Sequence, residues 1–451
     1  MIRSLETDYL IIGAGAMGMA FADELVNQSR DVRIILVDRR ATPGGHWNDA
    51  YRFVRLHQPA LYYGVNSTPL GAGGEDRSSG AEITAYYERV LEKLCATGQV
   101  RFFGQCDYEG DGRFRSTVTR DRVYQVTVHR KTVDATYSRV EVPATREPAY
   151  AAAEGVRLVA INHLAELKRP WSRYVVIGAG KTGIDALLHL LESGVDPDHL
   201  TWIISNDVWF IIREHIMPEP TSRMMPMQLR CMMQCEDLDD VFIRFEEAGW
   251  IARLDKEIWP TRFRCATVSL DELSVLQRLP HKVRMGRVRR IDPTQIVLEE
   301  GVLPTHEDVL HIDCTAHGLA RRPARPVFHG DGITLQPVMT CQPAFSAALI
   351  GMVELRQKDE ATKNGWCRPV PHPEFPRDIL PCTVDNFENA LSWLGPFGWW
   401  LRKSRLSITH HFSWLETLRL LFAVFRWMRP ANTRLRRIDA ALDQAGSGSG
   451  P

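Results

Sequence analysis

Two glycine-rich segments of this 451-residue chain have the residue types and spacing that bind nucleotide phosphates. In the first segment, the apolar run Tyr9–Ile12 leads into Gly13, Gly15 and Gly18, spaced as Gly-x-Gly-x-x-Gly. The first glycine permits a tight turn, the second lets the backbone approach a pyrophosphate, and the third lets a helix pack closely on the strand. Asp38 follows 20 residues after Gly18, where a carboxylate can accept both ribose hydroxyls. The segment therefore predicts a dinucleotide site.

The same order of apolar run, glycine turn and helix returns about 165 residues later. A phosphate-binding P-loop would need a glycine where Val175 stands, so this turn is also predicted to bind a dinucleotide. Asn206 replaces the acid equivalent to Asp38, which removes repulsion against a 2′-phosphate and favours NADPH, although the neighbouring Asp207 acts in the opposite direction. A degenerate fold that binds nothing is the alternative. The predicted second site comprises Gly178, Gly180, Lys181, Thr182, Gly183, Ser205, Asn206 and Arg213, the arginine acting as the phosphate cation.

Composition and charge exclude several classes of protein. Lys+Arg and Asp+Glu both number 55, so there is no basic surplus for nucleic acid. The nine scattered cysteines predict no disulfide framework, no metal site and a reducing compartment. No basic-apolar leader opens the chain and no run of 18 apolar residues occurs, so we expect a cytoplasmic protein without a membrane span.

A further motif after Asp38 carries a family resemblance. Gly44-Gly45-His46-Trp47 is similar to the Gly-Gly-x-Trp of the two-dinucleotide-binding-domain flavoproteins, particularly the class B flavin monooxygenases. The segments 134–136 and 313–318 resemble the paired linkers that join the two domains in that family. The resemblance implies that the first nucleotide is FAD, that Gly45 and Trp47 lie beside its isoalloxazine ring, and that the segment containing His57 and Gln58 runs along the flavin.

The resemblance and the internal repeat together predict an α/β fold with two Rossmann-like domains, one for FAD and one for NAD(P). The FAD domain is expected to be discontinuous, and the C-terminal element to be mostly helical. The predicted boundaries are 1–150 for the first part of the FAD domain, 151–307 for the NAD(P) domain with a helical insertion, 308–354 for the return segment, and 355–451 for a cap or substrate element ending in a flexible tail.

The class B fingerprint before the second glycine turn is incomplete, because Val159 replaces its glycine and Leu167 its aromatic residue around His163. The Cys-x-x-x-x-Cys pair of the disulfide reductases is absent from the region of His46. The leading hypothesis is an NADPH-dependent monooxygenase that inserts one oxygen atom of O2 into a small apolar or bulky organic substrate. Two alternatives stay open, a flavin-dependent reductase or dehydrogenase without oxygen insertion, and a non-enzymatic redox sensor that holds FAD.

Single residues near the expected flavin each have two interpretations. His57, Gln58 and His46 are the candidate catalytic residues. His57 has a pKa suited to holding a proton near the flavin but is about equally plausible as a hydrogen-bonded loop histidine, and the balance for His46 is similar. Asp331 resembles a flavin-ribityl carboxylate but also fits a Gly-Asp-Gly turn. Gln342 precedes a predicted helix whose dipole would stabilise negative charge on the flavin, although proline at a helix start is common for other reasons.

Two apolar segments outside the nucleotide folds also have two interpretations. The Met-rich stretch 224–233 suits an adaptable substrate wall, or else core or loop packing. The segment Thr417 to Met428 is apolar with interspersed arginines, which is typical of an interfacial membrane helix and equally of a helix packed on a domain surface. Packing on the domain surface is favoured because the basic residues are few.

Overall fold

The computed structural model describes residues 2–119, 121–315, 318–319 and 322–447. The strands are β1 Ile2–Ile12, β2 Ile34–Val37, β3 Val100–Phe103, β4 Cys106–Gly110, β5 Arg113–Ser116, β6 Val123–Asp134, β7 Val140–Glu141, β8 Ala151–Ala152, β9 Leu158–Ala160, β10 Arg173–Ile177, β11 Leu200–Ile203, β12 Phe210–Ile212, β13 Ile251–Ala252, β14 Thr267–Val268, β15 His281–Val283, β16 Val288–Ile291, β17 Gln295–Leu298, β18 Gly301–Pro304, β19 Val309–Asp313, β20 Gly318–Leu319, β21 Phe328–His329 and β22 Gly332–Thr334. The helices are α1 Ala16–Gln28, α2 Gly80–Ala96, α3 Lys181–Glu192, α4 Pro218–Gln234, α5 Leu238–Glu247, α6 Leu270–Arg278, α7 Pro343–Arg356, α8 Glu360–Trp366, α9 Ile379–Lys403 and α10 Trp414–Ser447.

The first sheet combines strands from the predicted first part of the FAD domain with strands from its predicted return segment. Its main strand order is β21-β22-β6-β1-β2-β3, and β4 and β5 extend it beside β6. Strands β22, β6, β1, β2 and β3 run parallel, which places Ile12, Val37, Asp134 and Thr334 at one carboxyl edge. Helices α1 and α7 pack against each other in its core. Since ligands of open parallel sheets bind at the carboxyl edge, the first nucleotide site is expected there.

The second sheet is parallel throughout, in the order β15-β11-β10-β19-β9. Its strands are short and apolar, as expected for strands covered on both faces. Strand β19 pairs with β10, although the sequence had placed residues 309–313 in the return segment. We therefore propose that the return to the first domain begins after Asp313 instead of at residue 308.

The C-terminal helices pack against the first unit and against the helical insertion of the second unit. Trp393 and Trp400 of α9 lie in the core of the first sheet, and the Trp400 indole donates a hydrogen bond of 2.7 Å to Glu24 of α1. Helix α10 packs against α4, the helix that contains the Met-rich stretch. Met224 and Met232 are buried there, so the core-packing interpretation accounts for both. Of the helices described, none has the length and apolar character to cross a membrane.

Candidate functional site

The first glycine turn lies at the carboxyl end of β1. Gly13 has a φ of +105°, and its N–H donates to the Val37 carbonyl at 2.7 Å. A Cβ placed on Gly18 would lie 1.9 Å from the Gly13 oxygen, so this position must be glycine for α1 to pack on the turn. A Cβ on Gly15 would meet only the Cα of Gly45, at 3.6 Å. The third glycine therefore serves packing, while the second leaves space at the α1 N-terminus where a pyrophosphate would bind.

Asp38 lies at the same edge, directly after β2. Its carboxylate accepts the Ala14 N–H at 2.6 Å and the Arg40 N–H at 2.8 Å. These two bonds orient the carboxylate toward the glycine turn and occupy one lone pair on each oxygen. The remaining lone pairs suit the two hydroxyls of a ribose.

The Gly-Gly-His-Trp loop packs directly on the first glycine turn. The Gly44 N–H donates to the Ala14 carbonyl at 2.9 Å, and Gly45, with a φ of +60°, lies against Gly15. The Trp47 indole donates a 2.8 Å hydrogen bond to the Tyr63 hydroxyl, which fixes the ring. The loop is thus held against the turn that is predicted to bind the pyrophosphate.

His46 stacks at a tilt on the neighbouring Trp47, with 5.0 Å between ring centroids. Burial, with the Arg40 guanidinium nearby, lowers the pKa of His46 to about 4. The imidazole is therefore neutral at physiological pH. This environment favours a hydrogen-bonding or packing role over the storage of a proton.

His57 is held between the two domains. Its carbonyl accepts a 3.0 Å hydrogen bond from Arg213, while its Nδ1 is buried without a partner among the described residues. Burial lowers the pKa of His57 to about 3, with Lys181 and Arg213 adding to the effect. This environment disfavours the imidazolium and so weighs against the prediction that His57 holds a proton. An orphaned buried nitrogen instead suits a hydrogen bond to a ligand. Gln58 lies half-buried beside it.

The return segment brings Gln342 to the N-terminus of α7. Its Oε1 is buried, and the described part of the chain gives it no hydrogen-bond partner. Asp331, in contrast, lies in an exposed turn before β22. Thr334, at the other end of β22, aligns with Asp134 at the carboxyl edge, and Asp331 is three residues, roughly 10 Å, from it. This position favours the simple-turn interpretation of Asp331, and its ribityl role stays a prediction.

The second glycine turn repeats the geometry of the first. Gly178 has a φ of +123°, and a Cβ on Gly183 would lie 2.1 Å from the Gly178 oxygen. A Cβ on Gly180 would meet no described heavy atom within 4 Å, apart from its chain neighbours. Thr182 lies half-buried in the first turn of α3. Space for a pyrophosphate is thus present at the N-terminus of α3 as well.

Lys181 is already paired within the structure. Its ammonium forms an ion pair with Asp185 one turn along α3, and the Tyr51 hydroxyl donates to the same carboxylate oxygen at 2.5 Å. Tyr51 belongs to the first domain, so the three side chains connect the two nucleotide units. A nicotinamide phosphate would have to compete with Asp185 for the Lys181 ammonium.

The ribose end of the second site contains a cation that the sequence did not predict. Arg284 binds Asp207 through two hydrogen bonds of 2.9 and 3.1 Å, next to Asn206 and Ser205 at the end of β11. Arg213 is buried instead against Glu272, at 2.7 Å, and its charge is neutralised there. Both arginines are ion-paired, so position and not free charge separates them: Arg284 contacts Asp207 after β11, whereas Arg213 contacts Glu272 and the His57 carbonyl. This position favours Arg284 over Arg213 as the cation nearest the predicted ribose end, and the phosphate role stays a prediction. The signal for Arg284 was its position directly after the strand next to β11.

The two segments that resemble linkers adopt the same local structure beside the two turns. The Thr136 and Thr315 hydroxyls donate to Asp134 and Asp313, at 2.7 and 2.6 Å. Ala316 and His317, also in the predicted linker, lie outside the described residues. In the fingerprint region, Val159 is a strand residue of β9, and the His163 side chain is 60 % exposed beside Glu166. His163 is thus a surface residue.

Comparison with known proteins identifies the family. A family model described as an NAD(P)-binding Rossmann-like domain matches residues 11–67. The chain is 45 % identical over 434 residues to uncharacterized protein Rv2000 of Mycobacterium tuberculosis and equally to uncharacterized protein Mb2023 of Mycobacterium bovis, covering 93 % of this chain and 78 % of each relative. The chain belongs to the Rv2000 family.

Several solved structures of low sequence identity share the fold of this chain. The closed form of a cyclohexanone monooxygenase superposes with a TM-score of 0.50 at 14 % identity, and the protein OTEMO in complex with FAD and NADP with 0.50 at 16 %. In each case the match covers 78 % of this chain and 85 % of the other. The predicted fold class, α/β with two Rossmann-like units and a helical C-terminus, is confirmed.

A disulfide is a further feature that sequence reasoning missed. Cys265 lies just before β14, within the insertion between β11 and β15, and Cys341 precedes Gln342; a disulfide joins the two across 76 residues. The expectation that cysteine spacing indicates no disulfide is therefore wrong for this pair. The His372 imidazole lies within 4.8 Å of both sulfurs, and its charge also contributes to the lowered pKa of His57. Cys341 and His372 thus connect the surroundings of His57 with the N-terminus of α7.

Proposed function

We propose that this member of the Rv2000 family is an FAD-dependent, NADPH-using oxidoreductase that inserts one oxygen atom of O2 into a small apolar or bulky organic substrate. The observation that carries the proposal is the Gly-Gly-His-Trp loop packed on the first glycine turn, with Gly45 against Gly15. Through this contact an aromatic residue, Trp47, and one histidine, His46, lie next to the first glycine turn. A second cradle, around Gly180, is present in the same chain.

The residues present fit FAD. Gly13, Gly15 and Gly18 would hold the pyrophosphate, and Asp38 the adenosine ribose. The buried, unpartnered Oε1 of Gln342 at the N-terminus of α7 would accept a hydrogen bond from the cofactor ring. Buried polar atoms usually have a hydrogen-bond partner, so this oxygen is available to accept a hydrogen bond from a cofactor bound there.

The second cradle fits NADPH better than NADH. Asn206 removes the carboxylate that would repel a 2′-phosphate, and Arg284 already balances the charge of Asp207. When bound, FAD supplies hydride acceptance from NADPH and reaction with O2. The chain would orient the bound groups and exclude water from them. Trp47 is fixed by its hydrogen bond to Tyr63, and His57 stays neutral near pH 7. A neutral His57 orients a polar group by hydrogen bonding without releasing a proton.

One observation favours the alternative of a reductase or dehydrogenase without oxygen insertion. The fingerprint position His163 is exposed at the surface and Val159 is part of a strand, so the element that characterises class B monooxygenases is not assembled here. The experiment must therefore separate reduction of the flavin from the fate of oxygen.

The test uses anaerobic titration with NADPH, followed by labelled O2 and a panel of apolar sulfides, amines and ketones. Purified protein should be yellow, NADPH should bleach the flavin absorbance, and a product should carry one labelled oxygen atom. Hydrogen peroxide as the sole oxygen product across the panel would assign the reductase activity instead. A colourless protein that takes up no FAD would refute both.

Two glycine variants provide matched controls. Gly15→Leu should yield flavin-free protein, because its side chain would occupy the pyrophosphate space of the first turn. Gly180→Leu should keep FAD but abolish reduction by NADPH, because the same space is filled in the second turn. Retention of FAD by Gly15→Leu would contradict the placement of the cofactor.

A further inference from the structure

The first half of α10 presents an apolar stripe to solvent. Six large side chains in this half are between 42 % and 90 % exposed, with Phe425 the most exposed. Their spacing, with members at 414, 418, 421 and 425, follows one face of a helix over roughly 16 Å. The apolar stripe consists of Trp414, Leu415, Leu418, Leu421, Phe422 and Phe425.

The opposite face of α10 is firmly packed. Ala423 and Met428 are buried in the core that α10 shares with α4 and α5, and Leu420 is buried on the same face. Glu416 accepts a 2.7 Å hydrogen bond from Ser222 of α4, which ties the start of the helix to that core. Each of the two sequence hypotheses for this segment therefore fits one face of α10: the buried face fits packing on the domain surface, and the exposed face fits an interfacial helix. The exposed apolar area is not explained by packing within the described chain.

The charge around the stripe is positive. Between residues 414 and 438 the chain contains six arginines and one acid, Glu416, which is hydrogen-bonded to two serines. Arg419 and Arg426 are exposed beside the stripe, and Arg429 lies one turn beyond Phe425. For these three, the described residues provide no ion-pair partner. The stripe is therefore a narrow apolar surface bordered by available cations.

A second copy of the chain fits this surface poorly. A two-fold contact through the stripe would bring the arginines of both copies together, and the nearby acid Glu416 is already engaged. An anionic lipid bilayer matches both features, since the apolar side chains would enter the acyl boundary while the arginines meet lipid phosphates. Tryptophan at one end of the stripe is typical of this boundary.

We propose that the apolar stripe of α10 is an interfacial membrane-binding surface for anionic lipid bilayers. The helix lies in the plane of the interface and does not cross it, since no described helix is long and apolar enough to span. This proposal goes beyond the proposed oxidoreductase function and does not depend on it.

The experiment is flotation of the full chain with vesicles of phosphatidylcholine alone or mixed with phosphatidylglycerol. Binding should be about tenfold or more tighter to the anionic vesicles and should weaken in high salt. Phe425→Glu should reduce binding to the anionic vesicles by about tenfold or more, and Arg419→Gln with Arg426→Gln by about fivefold for each arginine. Val118→Glu, at a similarly exposed apolar residue in the first domain, is the matched control and should bind as the wild type does.

Two readouts keep the interpretation independent of folding and assembly. Thermal unfolding of Phe425→Glu should match the wild type, since a side chain that is 90 % exposed adds little to the core. Failure to bind either vesicle, or equal binding to both, would overturn the proposal. So would a wild-type dimer in light scattering that Phe425→Glu dissociates, because a second copy would then occupy the stripe.

Discussion

The third glycine of the first turn offers the sharpest test of how the cofactor cradle is built. In Gly18→Ala, the added methyl would lie 1.9 Å from the Gly13 oxygen and 3.1 Å from its carbonyl carbon. Both neighbours are backbone atoms, so neither can rotate away as a flexible side chain would. Relief requires a shift of about 1 Å between α1 and the end of β1, in the range of overpacking changes that cost about 1–3 kcal/mol.

This cost should appear both in stability and in cofactor binding. For a domain of this size we expect the unfolding temperature of flavin-free protein to fall by about 2–4 °C for each kcal/mol. FAD content should fall as well, because the shift moves the α1 N-terminus away from the pyrophosphate. Gly15→Ala is the matched control. Its methyl would meet only the Gly45 Cα at 3.6 Å, an ordinary contact, so the flavin-free protein should unfold as the wild type does.

The assay is circular dichroism melting of apo-protein combined with flavin absorbance after reconstitution. Equal unfolding temperatures and equal FAD content for Gly18→Ala and the wild type would refute the close-packing argument. A loss of stability in Gly15→Ala equal to that in Gly18→Ala would show that the two glycines do not have separate roles.

Three further predictions concern charges and the disulfide. In binding titrations, Arg284→Ala should lower the affinity for NADPH by about one to two orders of magnitude and leave the affinity for NADH little changed. Arg213→Ala should lower the free energy of unfolding by about 3 kcal/mol or more without altering the ratio of NADPH to NADH affinity. An altered ratio in Arg213→Ala alone would contradict the proposal that Arg284 binds the 2′-phosphate. Because His57 has a folded-state pKa of about 3, below its unfolded value, the unfolded state binds its proton first and stability falls as pH drops from about 6.5 toward 3. His57→Asn should remove up to about 1.4 kcal/mol per pH unit of that loss in urea unfolding at pH 7 and pH 5, and unchanged acid sensitivity would count against it. Cys265→Ser should lower the free energy of unfolding by about 4 kcal/mol, since the bond to Cys341 closes a 76-residue loop, and reductant should then affect only the wild type.

Much of the fold was predictable because its signals are local. Each unit of strand, glycine turn and helix spans about 30 residues. Where the turn needs a positive φ or leaves no space for a Cβ, only glycine fits, so glycine marks these positions in the sequence. The same reasoning found Gln342, since a proline after it marked the start of α7. The proposed domain boundary after Asp313 could not be predicted from the sequence, because a short apolar strand does not indicate which of two parallel sheets it joins.

The sequence by itself determined the two glycine turns, the Gly-Gly-His-Trp loop and the amphipathic character of α10. Only the tertiary structure decided which charged and polar groups serve them. Arg213 pairs with Glu272, 59 residues away, while Arg284 reaches Asp207 across 77 residues. Whether a cation is neutralised, a histidine loses its proton or a helix face stays exposed depends on neighbours brought together by packing. The local spacing of residues in the sequence does not specify those neighbours. The desolvation that the neighbours cause determines whether each group is charged.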